Sequence, residues 1–118
     1  MTIAEYILET PLKSLNKAYG NATKGRKKTE DFKRYQTAIC WELKICKQPP
    51  VTGPYSVAVQ VPLKTRSDID NLLKGVLDCL VKIKATPDDR KLVAVSICKS
   101  SVKNTLILVS DEDLDLHL

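Results

Sequence analysis

Tyr55-Ser56-Val57-Ala58-Val59-Gln60-Val61, followed shortly by Ser67-Asp68-Ile69-Asp70-Asn71-Leu72-Leu73-Lys74, decides how this chain folds. In the first run Tyr55, Val57, Val59 and Val61 alternate with Ser56, Ala58 and Gln60, the period of a strand that buries one face. Just beyond Ser67 the period changes. Ile69, Leu72, Leu73, Val76, Leu77, Leu80 and Val81 form one apolar helical face that ends near Lys84, before Pro87. Working outward, Thr29 is placed to cap an earlier helix with Glu30 and Asp31 in its first turn, and Phe32, Tyr35, Ile39, Cys40, Leu43 and Cys46 recur at helical spacing up to Pro49-Pro50. Thr2 to Leu8 reads as a first strand. Leu92 to Cys98 and Thr105 to Val109 read as two more, and the turn from Ser100 to Asn104 predicts a hairpin between them. The expected order is β-α-β-α-β-β, an α/β (α+β) fold with a mixed sheet packed against two helices.

The 118 residues suffice for one domain and one modest core, so residues 1–118 are expected to form a single unit. With 43% hydrophobic and 28% charged residues, disorder is not the default. No apolar run is long enough to cross a bilayer, and Met1-Thr2-Ile3-Ala4-Glu5 lacks the features of a signal peptide, so a cytoplasmic protein with no membrane partner is expected. Cys40, Cys46, Cys79 and Cys98 form no C-x-x-C pair, and they sit in apolar contexts that predict small core residues. The single histidine, His117, gives little material for Ser/His or Cys/His catalysis. Trp41, on the first helix, is expected in the core or at a dimer interface.

The net charge of +5 points to a polyanionic partner, and its distribution is more informative than its size. A long basic loop, about 11–28, leads into the first helix, so that Lys13, Lys17, Lys24, Arg26, Lys27, Lys28, Lys33 and Arg34 face only Glu30 and Asp31. A connection of that length without periodicity of its own is usually functional or disordered. An acidic tail, about 110–118, carries Asp111, Glu112, Asp113 and Asp115. Solvated surface is the simpler reading of the tail, and one of two readings of the loop.

Asp68, Asp70, Asp88 and Asp89 gather around the second helix, with Asp78 along it. On a helix, positions i and i+2 point about 200° apart and could not share a ligand. If Asp68 keeps the extended geometry of the strand exit while Asp70 opens the helix, both carboxylates can converge. A third from Asp88 or Asp89 would complete an oxygen site for Mg²⁺, and adjacent residues point apart, so one of that pair is expected to join. The competing reading is ordinary: Ser67-x-x-Asp70 resembles a capping box, and Asp70, Lys74 and Asp78 form an i, i+4, i+8 stripe of an exposed face.

The run Asp68-Ile69-Asp70-Asn71-Leu72-Leu73-Lys74, with Asp78 and then Asp88-Asp89, resembles the signature of the RusA family, small homodimeric Holliday junction resolvases of bacteria and their phages. Pro11, Ser14, Asn16 and Tyr19 are similar to that family's P-x-x-S-x-N-x-x-Y stretch, and Lys99 falls where the family tends to have a basic residue. The chain departs from the family before the first aspartate, where Lys64-Thr65-Arg66-Ser67 stands in place of a dense arginine run. The resemblance implies a RusA-like nuclease domain whose metal ligands are Asp68, Asp70 and Asp89, with Lys74 also required for catalysis. It implies Mg²⁺ as cofactor, with Mn²⁺ as a substitute and no organic cofactor, and a homodimer cutting four-way DNA by paired symmetric nicks. Lys13, Asn16, Lys17, Lys24, Arg26, Lys27, Lys28, Lys64 and Arg66 are the residues expected against DNA, holding backbone more than reading bases. The rival readings are a non-catalytic DNA-binding module on the same basic surface, a less specific branched-DNA nuclease, and a structural interaction domain whose acidic helix start is only a cap.

Overall fold

The computed structural model describes residues 3–13, 19–20, 27–28, 30–66 and 68–111, without the side chains of 19, 20, 27, 28, 70 and 71. Six strands and two helices follow in chain order: β1 (Ile3–Leu8), β2 (Tyr19–Gly20), β3 (Lys27–Lys28), α1 (Glu30–Ile45), β4 (Tyr55–Pro62), α2 (Ile69–Lys82), β5 (Leu92–Ser100) and β6 (Thr105–Asp111). Four of the strands form a mixed sheet in the order β1-β6-β4-β5. The fold is α+β, and its main elements keep the expected β-α-β-α-β-β order.

Strand β4 is central because it is the strand with most to bury. Tyr55, Val57, Val59 and Val61 are each at most 2% exposed, joined in one core by Ile107 and Val109 of β6 and by Ala4, Tyr6 and Leu8 of β1. The helices complete that core from the same side: Phe32, Tyr35, Ile39 and Leu43 from α1, and Leu72, Val76, Cys79 and Leu80 from α2. Burying each large side chain of this set contributes about 1.5–3 kcal/mol, so the alternation in β4 and the apolar stripe of α2 specify one another.

The expected hairpin between the last two strands does not form. Strand β5 pairs in parallel with β4, Ser56 beside Ala94 through Pro62 beside Ser100. Strand β6 pairs antiparallel with the other edge of β4, Ser56 beside Ser110 and Val59 beside Ile107. The short connection 101–104 therefore steps over β4, crossing two strand spacings, about 10 Å, within the reach of four residues. Local alternation reports that a strand exists, while its neighbour is chosen by burial, and placing β4 in the middle buries both of its edges.

Three other expectations need correcting. The basic segment is not wholly irregular: Tyr19–Gly20 and Lys27–Lys28 form a short antiparallel pair. Of the two places expected for Trp41, the core is excluded, since it is 66% exposed on the outer side of α1. Cys79 is buried as expected, but Cys98 is exposed and Cys40 and Cys46 are only partly covered.

Helix α1 runs antiparallel to β1. The amide of Lys13 donates to Tyr35 Oη at 2.9 Å, that of Glu9 to Glu42 Oε1 at 2.7 Å, and that of Glu5 to Gln48 Oε1 at 3.0 Å. Its N-terminus therefore lies at the carboxyl end of β1, as that of α2 lies beyond the carboxyl end of β4. The two strands are parallel, since both pair antiparallel with β6. Both positive helix ends thus lie at one edge of the sheet, where Lys64 and Arg66 lead from β4 into α2.

Candidate active site at the entry of the second helix

Strand β4 leaves the sheet at Pro62, and the amide of Thr65 donates to the Pro62 carbonyl at 3.0 Å, turning the chain toward α2. Asp68 occupies the N-cap with extended backbone angles (φ −61°, ψ 126°), and the helix begins at Ile69. This is the geometry expected from the spacing, Asp68 extended and Asp70 within the first helical turn. The Asp68 side chain makes no cap hydrogen bond, so its carboxylate is not committed to the helix end. The Asp70 carboxylate, like Ser67, lies outside the described parts.

Lys74, one turn into α2, is half exposed and reaches in two directions: its Nζ lies 3.3 Å from Asp78 Oδ1 and 3.5 Å from Asp89 Oδ2. The hydrogen bond to Asp78, followed by the charges of Asp78 and then Asp89, raises the lysine above its ordinary value and keeps it an ammonium. The stripe reading accounts for the contact with Asp78. It does not account for the one with Asp89, which comes from a different part of the chain.

Asp89 reaches this position through the way α2 ends. The amide of Lys84 donates to the Val81 carbonyl and that of Ala85 to the Leu80 carbonyl, each at 3.0 Å. This double closure puts Lys84 in the left-handed region (φ 64°) and tucks Ala85 under the helix. A 3₁₀ turn, Asp89–Lys91, then precedes β5. Within it the two adjacent aspartates, though in hydrogen-bond reach of each other, take different cationic partners. Asp88 closes its own loop, accepting from the Arg90 amide at 3.0 Å and pairing with Arg90 Nη2 at 3.4 Å. The Arg90 amide bond, chiefly, holds the Asp88 carboxyl below its usual range. Asp89 turns instead toward α2 and Lys74.

Of the residues expected against DNA, Lys64 and Arg66 are exposed on the path from β4 to α2. Lys13 is described too, its Nζ lying 5.6 Å from the Tyr35 ring centroid, a cation–π contact. Asn16, Lys17, Lys24 and Arg26 lie outside the described residues, as do the side chains of Lys27 and Lys28. One basic residue beside this path was missed from sequence. A cavity of about 360 Å³ at the carboxyl edge of the sheet is lined by Lys64, Arg66, Lys103 and Asn104 over an apolar floor that includes Leu12 and Val61. A lone lysine in a turn carries no sequence signal; only the step of 101–104 over β4 brings Lys103 beside Arg66.

The chain belongs to the RusA family of endodeoxyribonucleases: the family's model, described as Endodeoxyribonuclease RusA, matches residues 10–110. Compared with curated proteins, the sequence finds no match. Membership implies Holliday junction endonuclease function and, as for such nucleases generally, a divalent metal. Among the described residues, no three acidic, histidine or cysteine side chains gather closely enough to hold an ion. The chemistry of the donors nonetheless fits: Asp68 offers hard oxygens not used by the helix cap, and Asp89 offers a carboxylate held against a lysine. No helix among the described residues is long and apolar enough to cross a membrane.

Proposed function

We propose that this protein is a metal-dependent endonuclease that resolves four-way DNA junctions by paired nicks, working as a homodimer with Asp68, Asp70, Asp89 and Lys74 in each active site. The observation that carries this reading is that the aspartate pair takes two different cationic partners. Asp88 serves its own loop, whereas Asp89 crosses to the one lysine that the family motif requires. An exposed helix with only solvated ion pairs has no need of that crossing.

In this reading Asp68, Asp70 and Asp89 hold Mg²⁺, which supplies activation of the attacking water and neutralisation of charge on the phosphoryl oxygens. The Lys74 ammonium, a cation throughout the physiological range, offsets negative charge growing at the phosphorus. Asp78 positions Lys74 by holding it from the neighbouring turn of α2. Lys64, Arg66 and Lys103 grip strand phosphates at the sheet edge, and the basic segment with Lys13, Asn16 and Lys17 extends that grip along the junction arms. A junction of approximate two-fold symmetry calls for two such sites related by a two-fold axis.

The test is cleavage of a labelled mobile four-way junction beside a linear duplex of the same sequence, with Mg²⁺ and with EDTA. Asp70→Asn, Asp88→Asn and Asp89→Asn are compared with the wild type. Paired nicks on the junction alone are expected, lost in EDTA, in Asp70→Asn and in Asp89→Asn, and largely kept in Asp88→Asn. Equal loss in both members of the 88–89 pair would remove the distinction drawn between them. A folded protein that binds the junction and never cuts it would replace the enzyme by a DNA-binding module.

A further inference from the structure

The cavity of about 360 Å³ at the carboxyl edge of the sheet is built on two levels. Its mouth carries Lys64, Arg66 and Lys103, all exposed. Its floor is made by Leu8, Val61 and Thr105, at the ends of β1 and β4 and the start of β6, each at most 3% exposed. Leu12, also buried, adds to that floor from beyond β1. A phosphate is held by the cations of the rim, and drawing it down onto an apolar floor would strip its water without compensation. The two levels together suit a group less polar than phosphate that is itself attached to phosphates.

The polar groups of the lining point the same way. Glu9 stands among them, and its carboxylate joins no ion pair among the described residues. In a cradle made for phosphate alone a carboxylate is repulsive. Beside a nucleobase it is an acceptor for an exocyclic amino group. The Asn104 amide and the Thr65 hydroxyl, both partly covered, add further donors and acceptors to the lining. Size agrees as well. The exits of β1 and β4 stand two strand spacings apart, about 10 Å, on either side of β6. One flat ring fits between them and a base pair does not.

We propose that this cavity seats one unstacked nucleobase bearing an exocyclic amino group, while Lys64, Arg66 and Lys103 hold the phosphates beside it. The inference rests on the proposed function for its DNA substrate, and adds a pocket that selects where the strand is cut. Arg66 precedes Asp68 by two residues, about 7 Å of chain at most. The seated base therefore belongs to a nucleotide next to the phosphate at the active site, or one further on. A four-way junction supplies such a base readily. Pairs at the exchange point lack a continuous stack on one side, so unstacking costs least there.

The test is the fluorescence of 2-aminopurine, placed singly at each position around the crossover of a four-way junction. The full chain is added in EDTA, so that nothing is cut. This base brightens on leaving the stack, and among the described residues no aromatic side chain lines the cavity to quench it. One position is expected to brighten about threefold or more on binding the wild type. Asn104→Phe and Thr65→Phe, which fill the cavity, are expected to abolish that rise while binding the junction within about threefold of the wild type. Glu9→Lys, at an exposed position, guards against misfolding of both. It is expected to lower the rise about twofold or more although it adds a cation beside the strand. Binding with no position brightened, or a rise that survives all three substitutions, would overturn the proposal and leave the nuclease reading standing. The expected rise with no cleavage once Mg²⁺ is restored would uphold the seat for a base and count against the nuclease reading alone. No binding of the junction at all would overturn both.

Discussion

Helix α2 turns Leu72, Val76, Cys79 and Leu80 to the sheet and Lys74 and Asp78 to solvent, and the two faces answer to different physics. The inner face is held by displaced water and close packing, so each of its side chains matters to folding and none to chemistry. The outer face is half exposed, where ion pairs contribute little to stability because water screens them. Its charges stand at sites such stability does not reward, next to an aspartate brought from another loop. The contrast teaches where to look for function: at charged groups whose removal the fold would hardly notice.

The sharpest way to break this contrast is a pair of substitutions two residues apart. Leu72→Ala removes a fully buried side chain and is expected to cost about 2–5 kcal/mol in urea unfolding, with specific cleavage per folded molecule retained. Lys74→Gln is expected to change stability by less than about 0.5 kcal/mol. It should nonetheless lower junction cleavage on the order of 100-fold, the scale of losing one charge-stabilising group. If Lys74→Gln unfolded the protein, or left cleavage intact, the two faces would not divide as described.

A smaller effect sharpens the account of the inner face. Burial pushes the Cys79 thiol from 9.0 up to about 12, and burial likewise pushes Tyr35 from 10.0 up to about 12. The unfolded chain releases these protons near the ordinary values, while the folded chain keeps them. Stability is therefore full below about pH 9 and falls above it, by at most about 1.4 kcal/mol per pH unit for each group. Urea midpoints between pH 7 and pH 10.5 should show the decline, and Cys79→Ala should make it shallower. A flat profile would mean that the inner face is wetter than its packing indicates.

The least effect concerns the turn that delivers Asp89. Lys84 holds a positive φ that glycine adopts without strain. Lys84→Gly is expected to raise thermal stability by about 0.5–1 kcal/mol with cleavage unchanged. Lost cleavage in a stabilised variant would show that the aspartate's position depends on a side chain at 84.

The parts of this molecule that were legible in its sequence are those ruled by near neighbours. The alternation of Tyr55 to Val61 and the stripe from Ile69 to Val81 reflect burial of one face, and the structure has both elements. The extended backbone of Asp68 followed from the strand-to-helix change. The hairpin failed because two strands in succession do not reveal that a third prefers to lie between them. For Trp41 only the core alternative fell, because helical spacing cannot tell a buried aromatic from one on an open flank. Lys103 was beyond reach because it is ordinary in sequence and notable only for what the sheet register and the connection across β4 set beside it.

That register also has a consequence in time. Ile3 pairs with Ser110 and Leu8 with Thr105, so the first strand docks only against the last. On the ribosome the opening segment must wait, unpaired, until nearly the whole described domain has emerged. Its three inward residues, Ala4, Tyr6 and Leu8, stay exposed to any competing edge meanwhile. A nascent chain carrying so distant a closure reaches its native sheet late and all at once, and a stall before β6 would leave a helix-rich intermediate with an unfilled slot between β1 and β4.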